Sequence, residues 1–300
     1  MASWQRYIKG YQDYLKIERS LSENSISAYI HDIRKLEQFC ELADLKLMPT
    51  EIQTSHIQQL LGYLAELGIA STSCARILSG MKGFFRYLTL ENINTHDPSE
   101  LLEMPSLPQK LPQVLNLPEV EAIFAKVDMS RPDGVRNRAI VELLYSSGLR
   151  VTEAVELKIS NLYLNIGFVK VQGKGSKERF VPIGKSAIKY LEQYLADIRP
   201  EYPIKPKCQD DVFLNRRGSR LSRVMVFYVI KDLANLAGIT KNISPHTFRH
   251  TFATHLIEGG ADLRAVQQML GHESLTTTEL YTHLDTEFLR QTILDFHPRS

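Results

Sequence analysis

Few cysteines are present in this chain, and long apolar runs are missing. The 300 residues include Cys40, Cys74 and Cys208, an odd number of cysteines at distant positions. This pattern excludes a disulfide framework and a zinc ribbon, and it favours reduced thiols. No run approaches the ~20 apolar residues of a membrane span, and residues 1–7 lack the pattern of a secretory signal. The sequence therefore predicts a cytoplasmic protein without a membrane segment.

An excess of charge of one sign is also missing. The net charge is +2, with 43% hydrophobic and 23% charged residues, which is the ordinary globular range. This composition excludes a mainly disordered chain, and the length suggests about two domains. The positive charge is local, since residues 199–223 hold seven basic and three acidic side chains. Such a patch can bind nucleic acid, although it is more often an ordinary solvated surface.

The first hundred residues have the periodicity of helices. Apolar residues recur every three or four positions in four stretches, which begin near Ser3, Ser22, Thr54 and Ser71. Four amphipathic helices with short connections predict a small helical bundle.

A cluster of prolines ends the helical pattern. Three prolines fall within eight residues, between Pro105 and Pro112. Because proline removes a backbone donor and restricts φ, we expect an extended linker over residues 105–113. The linker separates predicted domains at residues 1–104 and 114–300.

The second domain mixes helix and strand. Apolar runs at residues 166–171 and 180–183 flank a glycine-containing turn at 173–176, a pattern typical of a β-hairpin. Residues 135–147 are predicted to form a helix that ends at Gly148, and the chain is predicted to be almost wholly helical from residue 244. The fold class is therefore mainly α with a small β-hairpin or sheet.

Residues 244–250, Ser-Pro-His-Thr-Phe-Arg-His, predict a helix start that can bind a phosphate. Ser244 fits the N-cap and Pro245 the first helical position. His246 and Arg249 then lie three residues apart, near free backbone N–H groups and the positive end of the helix dipole. An arginine adds a planar fork that matches phosphate oxygens.

The same region also allows a metal site. His246, His250, His255 and His272 are conceivable zinc ligands, but there is no His-Glu-x-x-His pattern and no cysteine or carboxylate at a usual ligand spacing. A zinc hydrolase and a non-catalytic DNA-binding protein therefore remain as alternatives of other classes.

Two further segments contain reactive side chains. Arg150 begins a predicted helix with Glu153 three residues later, so the carboxylate either orients the arginine or forms a routine surface pair with it. Tyr281 follows His272 by nine residues. Tyrosine is usually a core residue, but it becomes a nucleophile where cations or a base favour its anion.

Together these motifs resemble those of the tyrosine site-specific recombinases, the phage integrase family, and specifically its Xer group. They occur in the family's order, as Gly-Leu-Arg150-Val-Thr-Glu153, Gly-Lys174-Gly-Ser-Lys-Glu-Arg, His246-x-x-Arg249, Leu-Gly-His272 and Leu-Tyr281-Thr-His. The resemblance spans essentially the whole chain.

The resemblance implies a helical N-terminal core-binding domain and a mixed α+β catalytic domain that together encircle duplex DNA. It implies that Tyr281 attacks the scissile phosphate and forms a 3′-phosphotyrosyl link on the way to a Holliday junction. It further implies that Arg150 and Arg249 clamp the phosphate and that His246 and His272 donate hydrogen bonds to it. Lys174 is implied as the general acid, and Glu153 as the residue that holds Arg150 in place.

The resemblance also implies partners. These are a dif-like duplex DNA site, a second, XerC-like recombinase in a cyclic heterotetramer, and the FtsK translocase, for the resolution of chromosome dimers at cell division. No metal, ATP or other cofactor is expected. An integrase of a mobile element is the alternative with the same chemistry. DNA contacts are expected from Arg34, Lys35, Arg76, Lys82, Arg86, Lys177 and Arg179.

Residues 286–300 predict a final helix with one apolar face, formed by Leu289, Ile293 and Phe296. The pattern alone favours packing on its own catalytic domain. The resemblance implies instead an exchange helix that docks into a neighbouring subunit.

Overall fold

The computed structural model describes residues 4–105, 113–173, 178–271 and 283–300. The chain divides into two compact units, residues 1–110 and 111–300. None of the helices in the described part of the chain combines the length and the apolar character that a membrane span requires. The predicted linker at 105–113 lies mostly outside the described residues.

The described residues of the first unit form four α-helices, in agreement with the periodicity. They are α1 (Trp4–Ile17), α2 (Glu23–Leu42), α3 (Thr54–Glu66) and α4 (Ser71–Leu90). Their apolar stripes meet in one core, in which Ile33, Leu36 and Phe84 are fully buried. Ser22 caps the start of α2, because its hydroxyl accepts a hydrogen bond from the Ser25 N–H at 3.3 Å.

The second unit is also mainly helical and contains a small antiparallel sheet. Its helices are α5 (Leu117–Ala125), α6 (Pro132–Ser147), α7 (Val151–Val155), α8 (Lys185–Gln193), α9 (Arg223–Leu236), α10 (Pro245–Gly259), α11 (Leu263–Leu270) and α12 (His283–Phe296). The strands are β1 (Leu162–Tyr163), β2 (Phe168–Gln172) and β3 (Glu178–Pro182), in the order β1-β2-β3. Helix α6 is buried around most of its circumference, and α7, α8, α9 and α10 pack against it.

The sequence predicts the hairpin but neither β1 nor α5. In the hairpin Val169 pairs with Val181, and β1 adds a third strand by pairing Leu162 with Val169. Helix α5 is closed at its start by Asn116 and Glu119, each of which accepts the other's backbone N–H, at 2.9 and 2.8 Å. Both elements are too short for hydrophobic periodicity to indicate them.

Helix α12 packs on its own unit. Leu289 and Ile293 are buried against a cluster that includes Phe252. Beyond the helix, the Arg299 guanidinium binds the fully buried carboxylate of Glu142 at 2.7 Å. The apolar pattern favours this arrangement, while docking of α12 into a neighbouring subunit stays a prediction.

His297, just after α12, makes the stability of the second unit depend on pH. Its Nε2 lies 3.3 Å from the Tyr145 carbonyl oxygen, with His255 and Arg299 nearby. Burial lowers the pKa of His297 from 6.5 to about 4. The unfolded chain therefore takes up a proton near pH 6.5, but the folded chain only near pH 4. We expect the free energy of unfolding to fall by about 3 kcal/mol as the pH drops through this interval.

Urea unfolding of the wild type and of His297→Gln, followed from about pH 7 to about pH 4, measures this contribution. Glutamine can still donate to the Tyr145 carbonyl but does not titrate. The variant should therefore lose about 3 kcal/mol less than the wild type on acidification. Equal losses in the two proteins contradict a buried, neutral His297.

Candidate active site

Three helix ends converge in the second unit. Helix α6 ends at Gly148 (φ 59°), α7 begins after Arg150, and α11 ends at Gly271 (φ 67°). Arg249, from the first turns of α10, donates to the Gly148 carbonyl at 2.8 Å and to the Leu270 carbonyl at 2.6 Å. The last carbonyls of a helix have no partner within it, so one guanidinium can bind the ends of both α6 and α11.

Arg249 places a positive charge in the interior of the second unit. Its side chain is almost fully buried. Burial, reinforced by repulsion from Arg150, lowers the pKa of Arg249 to about 10. The side chain stays protonated at neutral pH, and an anion that enters the site would offset both unfavourable effects. These properties favour binding of a phosphate.

Glu153 contacts Arg150, which is one of the two arrangements that their spacing allows. Its carboxylate accepts the Arg150 backbone N–H at 2.8 Å and the Arg150 Nη1 at 3.0 Å. Burial by itself raises the pKa of Glu153, but hydrogen bonds and charge from Arg179, aided by Arg150, outweigh it and hold the pKa below its ordinary value. Glu153 therefore remains ionised, and it holds an arginine whose side chain is 39% exposed.

Arg179 does not lie where a DNA contact is expected. It is 7% exposed, and its guanidinium binds the two Glu153 carboxylate oxygens at 2.8 and 3.0 Å and the Met269 carbonyl at 3.2 Å. With all three nitrogens engaged inside the protein, it is not a surface phosphate contact. The position of Arg179 on β3 could have indicated its burial. Residues two apart in a strand share a face, and Val181, two residues later, is buried.

Among the described residues, the site places three guanidinium groups around one carboxylate. The groups are those of Arg150, Arg179 and Arg249, and the carboxylate is that of Glu153. Three positive charges and one negative charge leave a local charge of +2. Fixed positive charge of this kind stabilises the negative charge that develops during phosphoryl transfer.

The remaining predicted catalytic residues divide into two groups. His246 is exposed in the first turn of α10. That turn begins as predicted, with Pro245 first, and the Ser244 N–H donates to the Thr247 hydroxyl at 3.1 Å. Lys174, His272 and Tyr281 lie outside the described residues, as does Lys177, which was expected to contact DNA.

The histidines of the zinc alternative are not all free to bind a metal. The ring Nδ1 of His255 lies 2.7 Å from the Tyr145 hydroxyl, and this histidine is buried. His250 is exposed on α10. Across residues 4–105, 113–173, 178–271 and 283–300, no group of three or more His, Cys, Asp or Glu side chains is placed to hold a metal ion.

In the first unit, the expected DNA-binding residues lie on α2 and α4. Arg34 and Arg86 are exposed, while Lys35 and Lys82 are half-buried. The ammonium of Lys82 lies 3.4 Å from the Glu100 carbonyl oxygen and donates to it. Exposure of this kind is compatible with phosphate contacts.

A buried carboxylate that no sequence motif indicates connects two of these helices. Asp32 of α2 forms an ion pair with Arg76 of α4 and lies 4.0 Å from the Lys35 ammonium. Gly80 permits the close approach, since a Cβ there would lie 3.0 Å from the Asp32 Cβ. The signal in the sequence was a carboxylate directly before the buried Ile33.

Both units match known families. Residues 113–287 match the Phage integrase family, and residues 8–92 match the Phage integrase, N-terminal SAM-like domain. Tyrosine recombinase XerD of Staphylococcus saprophyticus is 42% identical over 293 residues, which cover 98% of this chain and 99% of that protein. XerD of Listeria monocytogenes is 42% identical over 294 residues, with the same coverage of both chains.

A solved structure is also similar. The XerH site-specific recombinase bound to palindromic difH substrate, in a post-cleavage complex, has a TM-score of 0.70 and 28% sequence identity. The match covers 97% of this chain and 84% of that chain. The predicted resemblance to the Xer group is thereby confirmed. The chain belongs to the phage integrase family of tyrosine recombinases.

Proposed function

We propose that this protein recombines DNA at a specific site, cutting and rejoining one strand at a time through a 3′-phosphotyrosyl intermediate and a Holliday junction. The cluster of Arg150, Arg179 and Arg249 around Glu153 carries the proposal. It supplies fixed positive charge beside the helix start that bears His246, which suits a phosphodiester and its more negative transition state.

In the proposed reaction the Tyr281 oxygen attacks the scissile phosphorus, and the 5′-oxygen of the next nucleotide leaves. One phosphodiester bond breaks as one phosphotyrosyl bond forms, so the bond energy is retained and no ATP is consumed. Arg150 and Arg249 bind the non-bridging oxygens. A free tyrosine has a pKa of roughly 10, and these cations favour its anion.

Proton transfers complete the step. His246 accepts the tyrosine proton, His272 donates a hydrogen bond to the phosphate, and Lys174 protonates the leaving 5′-oxygen. These side chains supply charge neutralisation, proton transfer and the nucleophile, which are the tasks that a metal ion performs in other phosphoryl-transfer enzymes. We therefore propose metal-independent cleavage.

We assign residues 1–104 to a DNA clamp, 105–113 to the linker and 114–300 to the catalytic domain. The chain divides into two compact units between residues 110 and 111, within the proposed linker, and this division supports the assignment. The basic side chains of α2 and α4 support the role of the first unit.

The relatives support a proposal for the cellular role. Similarity to XerD proteins, and to XerH solved with difH DNA, supports a dif-like site and the resolution of chromosome dimers in the cytoplasm at cell division. In this role an XerC-like recombinase completes a cyclic heterotetramer, and FtsK acts on the complex. The match to the phage integrase family also supports a second candidate, an integrase of a mobile element.

Footprinting on chromosomal DNA separates the two roles. We expect a protected site near the replication terminus with two unlike half-sites, because two different recombinases read different half-sites. Protection at the ends of a mobile element favours the integrase. A perfectly palindromic site contradicts the heterotetramer.

A nicked suicide substrate that carries the protected site tests the chemistry. The nick lets the short fragment with the 5′-hydroxyl diffuse away, so the covalent link cannot be reversed. We expect a protein–DNA species that resists denaturant, in equal yield with and without excess EDTA. A loss in EDTA that zinc restores favours the zinc hydrolase. Tight binding without an adduct favours a non-catalytic DNA-binding protein.

A further inference from the structure

A side chain of β3 connects three segments of the active site. Arg179 binds both carboxylate oxygens of Glu153, at 2.8 and 3.0 Å, and the Met269 carbonyl at 3.2 Å. Glu153 in turn holds Arg150, and Met269 belongs to the last turn of α11. One guanidinium therefore fixes the sheet, α7 and α11 relative to one another.

Gly271 shows how closely the chain approaches this guanidinium. Its φ is 67°, and a Cβ at this residue would lie 3.0 Å from both Cζ and Nε of Arg179. The guanidinium cannot easily move aside, because Glu153 and Met269 hold it from two directions. The end of α11, one residue before His272 in the sequence, is thus set against Arg179.

Two arginines share the end of α11. Arg179 binds the Met269 carbonyl, and Arg249 binds the next one, that of Leu270. The planar guanidinium binds both carboxylate oxygens and the carbonyl with three separate nitrogens, whereas a lysine offers its three donors from a single atom and cannot reproduce this geometry. A buried ion pair is also a weak source of stability, since apolar residues of the same volume often replace it without loss.

We propose that Arg179 is a positioning residue for strand cleavage. It contacts no DNA, and through Glu153 and Met269 it sets the Arg150 guanidinium and the chain that leads to His272 relative to Arg249. This inference rests on the proposed function of the site. A misplacement of about 1 Å in a catalytic group costs on the order of 10²-fold in rate, and we expect a loss of this size when Arg179 is replaced.

The test compares Arg179→Lys and Arg179→Gln with Arg199→Lys. Arg199 is the matched control, because it is equally buried in the same unit but binds the Asp211, Cys208 and Gln209 carbonyls. Single-turnover adduct formation on the suicide substrate gives the cleavage rate, and titration of intact DNA gives Kd. We expect both Arg179 variants to cleave about 10²-fold more slowly, with Kd within about threefold of the wild-type value. The Arg199→Lys control should keep both the cleavage rate and the Kd of the wild type.

A double-mutant cycle with Arg150→Lys separates positioning from general destabilisation. If Arg179 acts through Glu153 on Arg150, much of its effect is already lost in the Arg150→Lys protein, so the two losses are less than multiplicative. Arg199→Lys should combine with Arg150→Lys in a simply multiplicative way. Full multiplicativity for Arg179 overturns the proposal.

Folding of the variants is controlled by a paired substitution. Arg179→Met with Glu153→Gln removes both buried charges together and keeps an acceptor for the Arg150 N–H. This protein should fold and still cleave about 10²-fold more slowly. Wild-type rates from it, or from either single variant, overturn the proposal. If the wild type itself forms no adduct, the proposed function fails, and this inference fails with it.

Discussion

The Tyr281→Phe protein should bind its DNA site as tightly as the wild type does and form no covalent adduct with it. The substitution removes one oxygen atom, which is the proposed nucleophile, and leaves the basic residues that bind phosphate unchanged. Loss of a nucleophile lowers the rates of other enzymes by about 10⁶-fold, so no adduct should be detectable.

Tyr163→Phe is the matched control. Tyr163 lies on β1, where its ring packs against Phe180 at 5.4 Å between centroids. Its variant should form the adduct at the wild-type rate. Gel analysis under denaturing conditions measures the adduct, and mass spectrometry of the digested adduct identifies the linked residue. An adduct from Tyr281→Phe places the nucleophile at another residue.

Arg249→Lys should lower the cleavage rate by about 10²–10³-fold while DNA binding changes little, which is the typical cost of losing one preorganised donor to a developing charge. Arg249 spans the carbonyls of Gly148 and Leu270 with two different nitrogens. A lysine ammonium cannot bind both carbonyls and also present a flat pair of donors to a phosphate.

The activity of Arg249→Lys should also depend on pH in a defined direction. The surroundings lower the pKa of Arg249 to about 10, and in the same place they lower the pKa of a lysine toward neutrality. The variant therefore loses its charge as the pH rises, and its remaining activity should fall between about pH 6 and about pH 9 relative to the wild type. Arg199→Lys, buried but remote from the site, should follow the wild-type profile. A constant ratio of rates across this range contradicts the desolvated environment.

Much of the fold is predictable from local features of the sequence. Helices α1 to α4 are long enough for several turns of periodic burial, and Gly148 and Gly271 end their helices in the left-handed conformation that glycine adopts without strain. Helix α5 and strand β1 escape prediction because they contribute only a few residues each to a core formed by distant segments.

The candidate site was likewise predictable from the sequence only in part. The candidate groups, their order and the pairing of Arg150 with Glu153 follow from the sequence, because these two residues lie one helical turn apart. The assignment of Arg179 to DNA does not match the structure, in which this side chain is buried against the Glu153 carboxylate. The sequence could not show this, because an arginine on a strand is normally solvated unless a carboxylate lies opposite it. That carboxylate is 26 residues away in the sequence.

By itself, the sequence determined which candidate catalytic side chains this protein offers, namely two arginines, two histidines, a lysine and a tyrosine in a family's order. It also determined most of the helices, because their caps and periodicity are local properties. Only the tertiary structure decided how the described groups support one another. It joined Arg249 to Gly148 across 101 residues, placed Arg179 inside the site, and held the C-terminal segment on its own unit through Arg299 and Glu142, 157 residues apart. Such contacts depend on how the helices pack against one another. That packing is selected by the burial of side chains from all the helices together, so no short stretch of sequence determines the contacts.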